Sequence, residues 1–182
     1  MRTLKDLFFD ELADRYDSEK RLVIAMPKMI KNATSARLQK LIEGHLMETE
    51  RQVVKLERVF KLFGVKPALN KCEATIGLLT EGAEVMSDNK GWPVLNAGII
   101  SVAQKIEHYE IASYGCLREW AMLLGNKPAS ALLKEILGEE KAANEALVEL
   151  ARANCNIEAL EACDDDEACD TGKKPKPFKR AA

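Results

Sequence analysis

The chain has 182 residues, of which 47% are hydrophobic and 31% are charged, and its formal net charge is −2. This length suits one domain with a substantial core, and the small charge gives no electrostatic reason to expect nucleic acid or an anionic membrane as a partner. No apolar run approaches the roughly 20 residues of a membrane span, and the N-terminus shows no signal-peptide core. We therefore expect a cytoplasmic protein without nucleic-acid or membrane partners.

Helical periodicity of about 3.6 residues runs through almost the whole chain, and strand signals are nearly absent. The predicted long helices span residues 4–31, 35–63, 92–124 and 129–154, and a shorter helix spans 70–87. Pro27 lies inside the first of these and predicts a kink near Val23. Short loops within each pair of long helices and a long link between the pairs are typical of a ferritin-like, antiparallel four-helix bundle. The fold class is therefore all-α, with the short helix in the crossover.

The pattern changes near the C-terminus. Helical periodicity fails after about Ile157, and an acidic run at 163–167 is followed by basic residues at 173–180. We interpret 1–160 as the helical bundle and 161–182 as a charged, mobile tail. The five cysteines follow no zinc-ribbon or CxxC spacing. Free thiols are expected, with Cys116 buried and the last three in or near the tail.

Carboxylates interrupt the apolar stripe of every long helix near its middle. They are Glu19 on the first helix, Glu48 on the second, Glu107 and Glu110 on the third, and Glu140 on the fourth. We call these five residues the carboxylate belt. Burying a charge is costly unless a cation or a proton compensates it. On the last helix the neighbouring Glu139 competes with Glu140 for the inward position.

The carboxylate belt predicts a metal centre. Five carboxylates cannot all be buried and ionised without compensation, and two divalent or trivalent metal ions would provide it. His45 lies one turn from Glu48 and is a further candidate ligand; a carboxylate and imidazole shell suits iron first and manganese as the alternative. The competing interpretation is that the glutamates are protonated, solvated or paired with Arg15, Lys55 or Lys105.

Two amides and a tyrosine are candidates for orienting the ligands. Gln52 and Asn144 each follow the belt carboxylate of their own helix by four residues, where an amide can hold a ligand in place. This repeated spacing suggests two helix hairpins related by a pseudo-twofold axis. We expect Tyr114 or Tyr16 to hydrogen-bond a belt carboxylate.

Several of these segments resemble the YciE/YciF family of bacterial ferritin-like stress proteins. The segments are residues 103–115, 16–20, 45–50 with Gln52, and 137–141. The resemblance covers roughly residues 3 to 155 and implies a rubrerythrin-like bundle that can carry a dimetal centre and usually pairs into a homodimer. The chain departs from common di-iron bundles, which use Glu-x-x-His on two helices. Here His45 precedes Glu48, and the last helix has no histidine.

Two functions follow from these features. The first is a stress-response oxidoreductase whose dinuclear site handles a small oxidant, either oxygen or peroxide. The second is a non-enzymatic structural or interaction protein, in which the carboxylate belt is vestigial or binds metal weakly. The sequence assigns no catalytic residue to either function.

Overall fold

Helices make up most of residues 1–162, the part of the chain that the computed structural model describes. The helices are α1 (Leu4–Asn32), α2 (Ala36–Leu62), α3 (Glu73–Asp88), α4 (Leu95–Leu123), α5 (Lys127–Leu150) and α6 (Asn156–Glu161), with a π-helical turn at Ala151–Cys155. No strand occurs within residues 1–162, and none of their helices is long and apolar enough to cross a membrane. The all-α prediction is confirmed. Most of the predicted tail, from residue 163 onward, lies outside the described residues.

Local hydrogen bonds set the helix ends. Thr3 begins α1 with a capping box, in which its hydroxyl accepts from the amide of Asp6 and its own amide donates to the Asp6 carboxylate. Helix α4, the third of the long helices, begins at Leu95, three residues later than predicted, because Trp92 belongs to a turn: its amide donates to the carbonyl of Asn89 at 3.0 Å. The first helix continues through Pro27 as one element.

The four long helices form a closed ring. Short connections join α1 to α2 and α4 to α5, while α1 also packs on α4 and α2 on α5. The long link between the hairpins carries α3, which packs against α1 and α4. A Cβ atom at Gly82 of α3 would lie only 2.9 Å from Cγ1 of Val102, so glycine allows this close approach. The ferritin-like bundle with a helix in its crossover is confirmed.

Two apolar clusters fill the bundle, one toward each end. The Phe8 cluster includes Phe8, Leu12, Tyr16, Leu56, Phe60, Tyr114, Leu117, Leu133 and Leu137. The Ile99 cluster includes Leu22, Met26, Ile42, Ile99, Ile100, Ile106 and Leu147. Along each long helix the polar residues of the candidate site fall between members of the two clusters. The site is therefore enclosed by hydrocarbon at both ends, which excludes bulk water and makes uncompensated charge costly.

The prediction that Cys116 is buried is wrong, since its side chain is exposed. On α4 the inward face carries Tyr114 and Leu117, both fully buried. Cys116 is two positions from Tyr114, about 200° around the helix, and so faces outward. The cysteines at 72 and 155 are buried, and all three are free thiols.

Candidate metal centre

Four of the six predicted ligands converge on one point in the middle of the bundle. They are His45 of α2, Glu107 and Glu110 of α4, and Glu140 of α5. Each offers one ligand atom, and these four atoms all lie within 4.8 Å of one another. All four side chains are buried. This buried group could hold a metal ion.

His45 connects the carboxylates of three helices. Its Nε2 atom lies 3.2 Å from Oε1 of Glu107 and 3.6 Å from Oε2 of Glu140, while Nδ1 lies 3.5 Å from Oε2 of Glu48. Burial acts to lower the pKa of His45, but the hydrogen bond to Glu48 and the charges of Glu140 and Glu19 outweigh it, so the pKa is raised. Without metal, the imidazole is thus favoured as a cation beside Glu48, whose own pKa is lowered by the hydrogen bond to His45.

Glu19 brings α1 to the edge of this group. It is almost completely buried, and its Oε1 atom accepts a hydrogen bond from the hydroxyl of Tyr114, itself fully buried. Its side chain lies within hydrogen-bonding reach of Glu110. Tyr114 thereby fixes the orientation of a carboxylate that faces the four converging residues. Tyr16, the alternative donor, bonds instead to Glu57 at 2.6 Å.

Glu48 lies at the rim of the site and not inside it. Its side chain is 37% exposed, whereas that of Glu140 is 0% exposed. Burial on α2 centres on Ile42, His45, Thr49, Gln52 and Leu56, and Glu48 is rotated by roughly 80° from that direction. On α5 the buried residues lie on both sides of Glu140. The two residues, which the pseudo-twofold axis would make equivalent, therefore differ in burial: Glu140 is enclosed and Glu48 is partly exposed.

The neighbouring Glu139 points away from the centre. Its carboxylate accepts from Nε2 of Gln52 at 3.0 Å and pairs with Nζ of Lys55 at 2.6 Å. Glu140 is therefore the inward glutamate of α5, and Gln52 bonds to its outward neighbour. The Oδ1 atom of Asn144 is buried and has no hydrogen-bond partner among the described residues.

Without a metal ion, the carboxylates compete for protons. Burial raises the pKa of Glu107 to about 8, and burial followed by repulsion from Glu19 raises the pKa of both Glu110 and Glu140. Glu107 and Glu140 interact directly, yet both oxygens of Glu140 and Oε2 of Glu107 have no hydrogen-bond partner among the described residues. Two neighbouring carboxyl groups can pair with each other only if one of them is protonated. When no cation is bound, we therefore expect some of the belt carboxylates to be protonated, which reduces the repulsion between them.

The chemistry of the unpaired atoms fits a metal ion. Within residues 1–162, the buried atoms without a hydrogen-bond partner include Glu19 Oε2, His45 Nε2, Glu107 Oε2, Glu110 Oε1 and both carboxylate oxygens of Glu140. Buried polar atoms are rarely left unpaired in folded proteins. Carboxylate oxygens combined with imidazole nitrogen are a donor set that suits iron or manganese.

Arg15, predicted above as one of three possible partners of the belt glutamates, is a fully buried cation beside the site. Its guanidinium carbon lies 4.0 Å from the centroid of the Tyr109 ring, and Nη2 donates to Sγ of Cys72 at 3.0 Å and to Asp14 at 3.1 Å. Burial raises the pKa of Glu19, and the positive charge of Arg15 offsets this rise only in part. The signal was present, because Arg15 falls at the centre of the α1 stripe between Leu12 and Glu19.

The other cations proposed as partners lie elsewhere. Lys55 pairs with Glu139, and Lys105 pairs with Glu81 of α3. The second histidine, His108, is exposed, and its Nδ1 contacts the carbonyl of Gln104 on its own helix. Pairing with these side chains does not account for the buried carboxylates.

Known proteins share this fold and much of this sequence. The chain is 39% identical over 160 residues to Protein YciF of Escherichia coli (strain K12), covering 87% of this chain and 96% of that protein. The crystal structure of the E. coli stress protein YciF matches with a TM-score of 0.82, over 86% of this chain and 99% of that one. The structure of YcfI from Rhodopseudomonas palustris matches with a TM-score of 0.78 and 42% identity, over 80% of this chain and 93% of that one.

The resemblance to the YciE/YciF family is confirmed by these matches. The family described as "Domain of unknown function (DUF892)" matches residues 3–160, which include every residue of the candidate site. The chain belongs to the DUF892 family.

Proposed function

We propose that this chain is a ferritin-like stress-response protein that binds two metal ions, iron or alternatively manganese, in its carboxylate belt. The observation that carries the proposal is the convergence of His45, Glu107, Glu110 and Glu140 within 4.8 Å. Their unpartnered buried atoms support it, since a cation would satisfy them at once. The E. coli relative is described as a stress protein, which supports the biological setting.

Charge balance supports more than one ion. Glu19, Glu107, Glu110 and Glu140 are buried and carry about four negative charges when all are ionised, and Arg15 supplies one buried positive charge. Two divalent cations would compensate the remaining three and part of the charge of Glu48 at the rim. A single divalent cation would leave about one buried negative charge uncompensated between two apolar clusters, which is costly.

Each residue has a distinct role in this proposal. Glu107, Glu110, Glu140 and His45 would hold the ions, and Glu19, oriented by the Tyr114 hydroxyl, would complete the shell from α1. Glu48 is partly exposed and hydrogen-bonded to His45, so it can bind an arriving cation at the rim and hold the imidazole in position. Gln52 supports the shell only indirectly, through Glu139.

The proposed activity is that of an oxidoreductase acting on a small oxidant, oxygen or peroxide. Bound iron or manganese would supply the one-electron redox chemistry that these side chains lack. The protein contributes exclusion of water by the two apolar clusters and a set of carboxyl groups that can take up or release protons. Tyr114 holds its hydroxyl proton against Glu19.

Anaerobic titration of the metal-free protein with Fe(II) tests this site. We expect about two ions per chain for the natural sequence, and at least a tenfold loss of affinity for Glu107→Gln, because an uncharged amide replaces a buried ligand. The matched control is Glu139→Gln, whose carboxylate points outward to Lys55; it should bind like the natural protein. Equal binding by the two variants would contradict the proposal.

The non-enzymatic alternative rests on a different surface. On α2, Met47 is 57% exposed and Val54 is 63% exposed, and their spacing of seven residues puts them on one outward face. We propose that this face contributes to a homodimer interface. Light scattering should give twice the chain mass, and Val54→Glu should shift it toward the monomer because a charge would be buried. An unchanged dimer in that variant would place the interface elsewhere.

A further inference from the structure

A small cavity lies directly beside the candidate metal centre, on the side of the Ile99 cluster. Hydrocarbon from all four long helices lines it, including Met26, Ile42, Ala103 and Leu147, and its volume is about 20 Å³. His45 and Glu107 close its inner end. Two of the proposed metal ligands therefore form one wall of an otherwise apolar space.

The lining determines what this space can hold. A cavity of about this volume exceeds the roughly 10–15 Å³ that one water requires and has room for one small molecule, and a buried water needs two to four polar partners. The only polar side chains in its lining are His45 and Glu107, and the proposed function commits both to metal. Water and hydrogen peroxide would then lose hydrogen bonds on entry, which makes their entry unfavourable. Dioxygen makes no hydrogen bonds and does not incur that cost.

We propose that this cavity is a binding pocket for dioxygen, placed against the His45 and Glu107 side of the centre. The inference rests on the proposed function and narrows its substrate to one oxidant. Dioxygen suits the apolar lining, whereas hydrogen peroxide does not. Ala103 is the residue that keeps the space open, since its side chain is the smallest in the lining.

Dissolved dioxygen is paramagnetic, so its position can be read from methyl relaxation in the protein loaded with redox-inert zinc. Under several atmospheres of dioxygen, we expect relaxation of the Met26, Ile42 and Leu147 methyl groups to be enhanced at least threefold more than that of Leu12, Leu56 and Leu133. The latter are equally buried in the Phe8 cluster and serve as the internal control. Ala103→Leu should remove the excess by filling the cavity, and Leu147→Phe is the second filling variant should the first fail to fold.

Equal enhancement of methyl relaxation in the Phe8 and Ile99 clusters would overturn the proposal. Cross-relaxation between water and the pocket methyl groups in the zinc-loaded protein would also overturn it, because it would show that water occupies the cavity. Both results are independent of whether the belt binds iron, which the Fe(II) titration measures. If zinc is not retained, the relaxation measurement on the metal-free protein still compares the two clusters. A failure of the pocket is thereby distinguished from a failure of the metal site.

Discussion

Replacing Glu140 by leucine is expected to abolish metal binding and, at the same time, to stabilise the metal-free protein by about 1–3 kcal/mol. Glu140 is 0% exposed, and neither of its oxygens has a hydrogen-bond partner among the described residues. Repulsion from Glu19 and Glu107 raises its pKa further. An apolar side chain of similar volume relieves this repulsion and joins the surrounding core. A residue retained at the expense of stability is expected of a functional site.

Thermal unfolding after exhaustive chelation measures the effect. A gain of about 1–3 kcal/mol corresponds to a rise in Tm of roughly 2–12 °C for a chain of this size. The control is Glu139→Leu, which removes the Lys55 ion pair and the Gln52 hydrogen bond from a partly exposed position and should give no gain. A marked loss of stability in Glu140→Leu would show instead that Glu140 belongs to a structural polar network.

The free energy of unfolding of the metal-free protein is expected to fall as pH rises from about 5 to 8. Burial raises the pKa of Glu107 from its ordinary value to about 8, so the folded state holds a proton that the unfolded state has released over this range. That contribution is fully present below the unfolded pKa and is lost as pH rises through the folded pKa. His45, whose pKa is also raised, acts in the same direction. Metal affinity should rise with pH, because the same protons must leave.

Urea unfolding at several pH values, with chelator present, checks this expectation. Glu107→Gln should make the slope shallower, because an amide does not titrate, whereas Glu139→Gln should retain the full slope. Stability that is constant or increases over this pH range would show that the belt carboxylates are ionised and compensated without metal.

Periodicity was sufficient to predict the fold because most of the stabilising contacts lie on one face of each helix. Leu12, Leu56 and Leu133 follow the helical repeat and are fully buried. The helix ends were harder, since the start of α4 depends on a turn hydrogen bond between Trp92 and Asn89 that no repeat reveals.

The site was predictable in its composition more than in its geometry. The inward direction of Glu140 follows from its central place in the buried face of α5. The spacing of Glu48 from Gln52 makes it look equivalent to Glu140, but Glu48 lies at the rim of the site. It is off the centre of the buried face of α2, and a small rotation of that helix decides whether such a side chain reaches the interior. The buried position of Arg15 depends on the packing of Tyr109 from α4 and of Cys72, the residue that caps the start of α3, which a pattern along one helix does not contain.

Anomalous scattering at the iron and manganese absorption edges, on crystals of protein purified without chelator, is the most direct test of metal binding by the carboxylate belt. We expect two metal peaks in the middle of the bundle, bounded by His45, Glu107, Glu110 and Glu140, with Glu19 on the side of α1. Absence of any peak after growth in iron-supplemented medium, with stability equal to that of the chelated protein, would contradict it.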